Sequence, residues 1–224
     1  MLPLRDSVRT RRRAWMNWLL VAVTTAVFLV QDSGAVERAD LFRTLAVIPV
    51  RIFDLGLLAG LGYWPLLTLL TATFLHGGWI HLLGNMLYLW VFGDNVEDRL
   101  GHLRYLAFYL AGGFVANLAH VLANPFSSIP TIGASGAVAA VLGAYAVTFP
   151  QARVLALVPV GAIVPVLRVP AWALLGLWFL LQLWGGIAGP GAQPVAWWAH
   201  IGGFLAGMGL VRLLAPAREP QRVG

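Results

Sequence analysis

The chain has 224 residues, of which 59% are hydrophobic and 11% charged, with a mean hydropathy of +0.79. Such a composition excludes an ordinary soluble domain and points to a polytopic membrane protein, with length for about six spans of roughly 20 residues. All 15 basic residues are arginines set in short segments beside apolar runs, so the net charge of +6 reads as a topology signal rather than nucleic-acid affinity. The sequence holds no cysteine, which rules out disulfides, thiolate metal sites and a cysteine nucleophile within it.

Residues 1–13 form a basic tail (Arg5, Arg9, Arg11, Arg12, Arg13) ahead of Ala14–Val30. That run of about 17 apolar residues is long for a signal-peptide core and lacks a small-x-small cleavage site directly after it, so it is expected to stay as a first span. Residues 31–75 make the one long loop. Its stretch 57–70 is apolar but broken by Gly60, Gly62 and Pro65, which suits an interfacial or re-entrant segment anchored by Trp64.

The second span is expected at about 76–92, after His76-Gly77-Gly78-Trp79, and the third at about 103–122. Between them lies a charged turn in which Glu97 and Arg99 are expected to pair. The fourth runs over about 132–149, bracketed by Pro130 and Pro150. The stretch 154–167 is apolar but short and interrupted by Pro159, Gly161 and Pro165, and reads as an interfacial hairpin between Arg153 and Arg168. Spans five and six follow at about 170–187 and 195–214, joined by a Gly/Pro loop, and residues 215–224 form a second tail with Arg218 and Arg222. Arginines at 99, 104, 153 and 168 and in both tails fall on one side of this arrangement, while the short loops on the other carry no charge. The expected fold is therefore all-α, six transmembrane helices in a compact bundle, with both termini cytoplasmic.

On that topology the second, fourth and sixth spans all run inward from the outer face. His81 and Asn85 head the second, Ser135 the fourth and His200 the sixth, all at similar shallow depth. Ionisable groups inside a membrane are costly and mark functional sites. Ser135, within Gly133-Ala134-Ser135-Gly136, alone reads as helix-packing chemistry. His200 changes that reading, because neutral imidazole is the base a serine hydroxyl needs to become a nucleophile. Ser135 also begins a helix, where free N–H groups favour developing negative charge. His81 and Asn85 share a helical face and are candidate donors, with Ser135, to an oxyanion. No acid stands near His200, so the expected machinery is a Ser135–His200 dyad.

Other polar and small residues have plainer readings. Gly203 and Gly207, like Gly136 and Gly143, suit close helix packing that brings His200 to Ser135. His76 reads as a loop or interface residue, with bracing of the oxyanion region as the alternative. Asn117 reads as interhelical glue, and His102 and His120 receive no reaction role. A His-Glu-x-x-His zinc site and a pair of membrane aspartates are both absent, leaving serine chemistry.

Taken together, these motifs resemble the rhomboid family of intramembrane serine proteases in its six-span bacterial form. His81 and Asn85 lie in His-Gly-Gly-Trp-Ile-His-Leu-Leu-Gly-Asn-Met; Gly133, Ser135 and Gly136 match Gly-x-Ser-Gly; Ala199, His200, Gly203 and Gly207 match Ala-His-x-x-Gly-x-x-x-Gly. The resemblance covers about 75–213 and implies catalysis by Ser135 and His200, oxyanion stabilisation by His81, Asn85 and Ser135, and structural support from Gly133, Gly136, Gly203 and Gly207. It implies no cofactor and no metal. The partners implied are the lipid bilayer and single-span or polytopic membrane-protein substrates, cut near the outer ends of their spans. Localisation in a bacterial inner (cytoplasmic) membrane, with the site facing the periplasmic or extracellular side and the fifth span as a gate, belongs to the same implication. Two features depart from the family: Ala139 stands where many relatives place a ring against the catalytic histidine, and a Trp-Arg pair in the first loop is missing. The alternatives are a catalytically silent relative that binds membrane clients, or a small transporter, which would show a midplane site or inverted repeat.

Overall fold

The computed structural model describes residues 1–54, 64–159, 161, 163–188 and 195–216. The expectations for Gly60, Gly62, the Gly/Pro loop at 189–194, Arg218 and Arg222 lie outside the described residues. In chain order the elements are β1 (Leu2–Asp6), α1 (Trp15–Asp32), α2 (Arg38–Leu45), α3 (Pro49–Phe53), α4 (Trp64–Thr71), a 3-10 turn (Ala72–Phe74), α5 (Trp79–Leu100), α6 (His102–Ala123), α7 (Ser135–Thr148), β2 (Arg153–Leu157), β3 (Val166–Pro170), α8 (Ala171–Ala188) and α9 (Trp197–Leu214).

Helix α7 is the axis. Ten of its 14 residues, Gly136–Tyr145, are buried, and α5, α6, α8 and α9 all pack on it. Its sequence explains this: apolar on every side and rich in Ala and Gly, it offers neighbours a surface on which backbones can meet. The α7–α9 contact is the closest. A Cβ on Gly207 would stand 1.9 Å from the carbonyl oxygen of Ala140, and one on Gly203 2.2 Å from that of Gly136. From the other side, a Cβ on Gly143 would stand 2.0 Å from the carbonyl oxygen of Phe204. No side chain fits there, so these glycines set the distance between the two helices.

Helices α1, α6 and α8 are each long and apolar enough to cross a membrane, and α4 through α5 passes as a fourth span, bent by 81°. Helix α1 is secured by Glu97, whose carboxylate accepts from the N–H groups of Met16 (3.0 Å) and Asn17 (2.7 Å) in its first turn. This satisfies donors that a helix N-terminus leaves open and places negative charge at the favourable end of its dipole. Glu97 also bonds His102, whereas Arg99 donates to the Pro216 carbonyl, so the expected Glu97–Arg99 pair does not form. Buried Asn17 links three helices: it donates to the Leu89 carbonyl (3.0 Å) and accepts from Tyr105 (2.7 Å).

The all-α expectation is corrected by a three-stranded antiparallel sheet in the order β1-β2-β3. The apolar stretch 154–167 is a hairpin of strands, with Leu157 opposite Val166 and Arg153 opposite Pro170. The basic tail supplies β1, which pairs with β2 from Leu2–Leu157 to Asp6–Val154. Alternation along β2 buries Val154 and Ala156 against the helices. Asp6 accepts hydrogen bonds from Asn95 and Tyr145, near the C-terminal ends of α5 and α7. The sheet thus closes the end of the bundle opposite Ser135 and His81, which head those same helices.

Candidate active site

Ser135 is the first residue of α7, and the strand-like approach to it is tied down at several points. Thr131 and Val47 exchange backbone hydrogen bonds (2.7 and 3.0 Å), and the Gly133 N–H donates to the Ala72 carbonyl (2.9 Å). Gly133 has φ +122°, a conformation that disfavours a side chain, and a Cβ there would lie 2.7 Å from the His81 ring. Removing that Cβ lets the His81 ring sit beside the turn into Ser135.

His200 lies in the first turn of α9. Its Nε2 is 2.9 Å from Ser135 Oγ, and its Nδ1 is 2.8 Å from Gln182 Oε1. The Trp178 ring stands beside the imidazole, with centroids 5.9 Å apart and planes at 36°, and Trp197 meets it edge-on at 6.3 Å. Buried Ala139 adds no ring here, so the flanking aromatics come from α8 and α9. A hydroxyl facing one imidazole nitrogen, with the other nitrogen engaged, has the form of a nucleophile and its base.

His81 and Asn85 occupy one face of α5, as their spacing predicts. The Gly77 N–H points at His81 Nδ1 (3.4 Å), which makes that nitrogen the acceptor and leaves the proton on Nε2, beside Gly133. Asn85 donates one amide hydrogen to His76 Nε2 (3.1 Å), leaving its second for the cavity. His76 lies in the loop between the 3-10 turn and α5, as expected, but its side chain is fully buried rather than at an interface. Its Nε2 also accepts from Ala134 N–H (3.4 Å), and its backbone is held by buried Gln31. His76 thereby connects α1, Asn85 and the residue before Ser135. A loop position and contacts suited to bracing its neighbours thus occur together at His76.

These groups open onto a cavity of about 880 Å³. Ser135, His200, His81 and Asn85 line it, together with Tyr88 on α5, Trp178 on α8 and the 127–132 segment. Ser135 and His200 are half-buried, and His81 is exposed. The site is therefore reachable from the cavity without being open on all sides.

Gln182 is the functional neighbour that sequence reasoning missed. Two arguments could have found it: it is the one hydrogen-bonding side chain besides tryptophan in α8, and a lone amide in an apolar helix needs a partner.

Residues 63–217 match the Rhomboid domain family. Among curated proteins, the chain is 29% identical over 163 residues to Rhomboid protein 1, mitochondrial, of Saccharomyces cerevisiae, covering 70% of this chain and 44% of that one. It is 33% identical over 151 residues to Rhomboid-like protein 11, chloroplastic, of Arabidopsis thaliana (65% and 51%), and 33% over 129 residues to Rhomboid protease GluP of Bacillus subtilis (57% and 23%). The chain thus spans about half or less of the length of these relatives. The family match takes in the Ser135 turn, the His81 helix and the His200 helix together, and on this ground the chain belongs to the rhomboid family.

Proposed function

We propose that the chain is an intramembrane serine endopeptidase that cuts other membrane proteins at or near the outer ends of their spans. The observation that carries this reading is the 2.9 Å contact between Ser135 Oγ and His200 Nε2 at the wall of the cavity. In the first half of the reaction, Ser135 Oγ attacks the scissile carbonyl while His200 Nε2 takes its proton. The negative charge that develops on the carbonyl oxygen meets the His81 Nε2–H, the second Asn85 amide hydrogen and the Ser135 N–H, which has no acceptor within its own helix. His200 then returns the proton to the leaving amine. In the second half, water attacks the acyl-serine by the same route in reverse and frees Ser135.

The same reading assigns six spans to α1, α5, α6, α7, α8 and α9, with both termini cytoplasmic in a bacterial inner membrane and the site toward the periplasm. In its support, Arg99, Arg104, Arg153 and Arg168 all lie at the sheet-capped end, away from Ser135. The substrates are single-span or polytopic membrane proteins.

The test is cleavage of a single-span substrate in liposomes by wild type, Ser135→Ala and His200→Ala, alongside labelling by a serine-directed fluorophosphonate. Wild type alone should cleave, and Ser135→Ala should not label. Cleavage that survives Ser135→Ala, or a wild type that neither cleaves nor labels, refutes the reading.

A further inference from the structure

We propose that Gln182 is a positioning residue for His200, a neutral third member that fixes the tautomer and orientation of the base; this rests on the protease reading above. The side-chain amide could be written in two orientations, and its surroundings choose one. Gln182 Nε2 donates to the Trp178 carbonyl at 3.0 Å, so Oε1 faces His200 Nδ1. The reverse orientation would set one carbonyl against another and lose the Nε2–H donation. With Oε1 as acceptor, the imidazole must carry its proton on Nδ1. The Nε2 lone pair is then directed at Ser135 Oγ.

The alternative tautomer would place a hydrogen on Nε2 and leave Ser135 without a base. When Ser135 transfers its proton, the imidazolium has two N–H groups to satisfy in a half-buried site. Gln182 already accepts the Nδ1–H and keeps accepting it: the proton that moves passes between Ser135 Oγ and Nε2, and the amide neither gains nor loses one. At 7% exposure, Gln182 has both ends of its amide engaged, one on Trp178 and one on His200. Ala139 supplies no ring to steady the histidine, and the Trp178 ring stands on the same helix as Gln182. Helix α8 therefore holds the base in two ways, by a hydrogen bond and by a flanking indole.

The experiment compares wild type, Gln182→Leu and Gln182→Glu in liposomes with the same single-span substrate, measuring kcat and KM across pH. Gln182→Leu keeps the shape and removes the acceptor; kcat should fall by about tenfold to a hundredfold, with KM within about twofold. Gln182→Glu restores an acceptor and should retain activity. Its carboxylate favours the protonated imidazole, so the acid limb of the pH–rate profile should move to higher pH. A Leu variant as fast as wild type, or a Glu variant with an unmoved profile, overturns the proposal. Should Gln182→Leu fail to fold, the Glu profile decides alone. A wild type that cleaves beside an indifferent Leu variant sinks this inference only. A wild type that neither cleaves nor labels sinks the protease reading, and this inference with it.

Discussion

The helix that carries His200 and the helix beside it are held differently. Helix α9 meets α7 backbone to backbone, through Gly203 and Gly207 on one side and Gly136 and Gly143 on the other. Helix α8 has only four buried residues of 18, namely Ala171, Leu174, Leu175 and Gln182. Among the described residues, nothing lies within 4 Å of a would-be Cβ on its Gly176. The first helix is fixed along its length by backbone contact, the second at its two ends, by the Ala171 and Trp172 N–H groups bonded to the Ala152 and Pro150 carbonyls and by Gly185 against the Trp197 ring, with the Gln182 amide between them. The difference suits their tasks: α9 must hold His200 at a set distance from Ser135, whereas α8 borders the cavity and faces largely outward.

Glycine-to-alanine substitutions should break this comparison most sharply. Gly207→Ala puts a methyl 1.9 Å from the Ala140 carbonyl oxygen and must push α9 away. A displacement near 1 Å at a reacting pair costs roughly 10² in rate, and overpacking costs about 1–3 kcal/mol of stability. Among the described residues, a Cβ in Gly209→Ala on the same helix or Gly176→Ala on α8 meets no atom within 4 Å, and both variants should leave activity and thermal stability near wild type. Equal effects at 207 and 209 would mean that the seam does not set the Ser135–His200 distance.

Joining α5 to α8 across the cavity is the next test. The chain has no cysteine, so an introduced pair would be the only one present. With α8 acting as a gate for a membrane-spanning substrate, oxidising such a pair should abolish cleavage of that substrate, and reduction should restore it. Labelling by a small fluorophosphonate, which needs no such opening, should persist. Cleavage undiminished by the cross-link would assign entry to another path.

His76 tests the opposite flank of the site. Removing its ring in His76→Ala frees Asn85 and the Ala134 N–H at once. On the proposed reading of Asn85 as an oxyanion donor, loss of which would cost roughly 10²–10³, loosening rather than removing it should lower kcat by about tenfold. If Asn85→Ala is measured beside it, the double variant should lose less than the product of the two single losses, because His76 acts in part through Asn85 and in part through the Ala134 N–H; full additivity would show separate roles.

Much of the candidate site was legible because it is built from residue types that are rare in an apolar sequence. Ser135, His200, His81 and Asn85 stand out against alanine, leucine and glycine, and helical periodicity is enough to bring the last two onto one face. The Gly-xxx-Gly spacing of 203 and 207 also told how α9 would pack. What the sequence hid depends on tertiary contact. Glu97 beside Arg99 looked like a local ion pair, yet its carboxylate caps α1, about 80 residues away in sequence. The basic tail gave no strand signal, since β1 exists through pairing with β2 rather than through its own propensity. Gln182 drew no attention because a neutral amide is cheaper to bury than a charge, so the cost that flags histidine did not flag it.

The smallest effect is expected at the end farthest from the chemistry. Asp6 fastens β1 to the bundle by accepting from Asn95 and Tyr145, and burial holds its carboxyl above the usual carboxylate range, against the opposing pull of the Tyr145 hydrogen bond, nearby backbone N–H groups and Arg5. A carboxyl raised on folding binds its proton more tightly in the folded chain than in the unfolded one. The stability it contributes is therefore complete below the ordinary carboxylate range and is lost as pH rises through the raised value. Melting in detergent between about pH 4 and pH 7 should show the wild type losing a little stability as pH rises. Asp6→Asn, which cannot ionise, should flatten that part of the curve, with cleavage activity unchanged because the sheet caps the end of α7 opposite Ser135. A changed kcat in Asp6→Asn would mean that the strand acts on the site, and the short path is visible: β1 pairs with β2, and the Ala152 carbonyl just before β2 accepts from the N–H of Ala171, the first residue of α8.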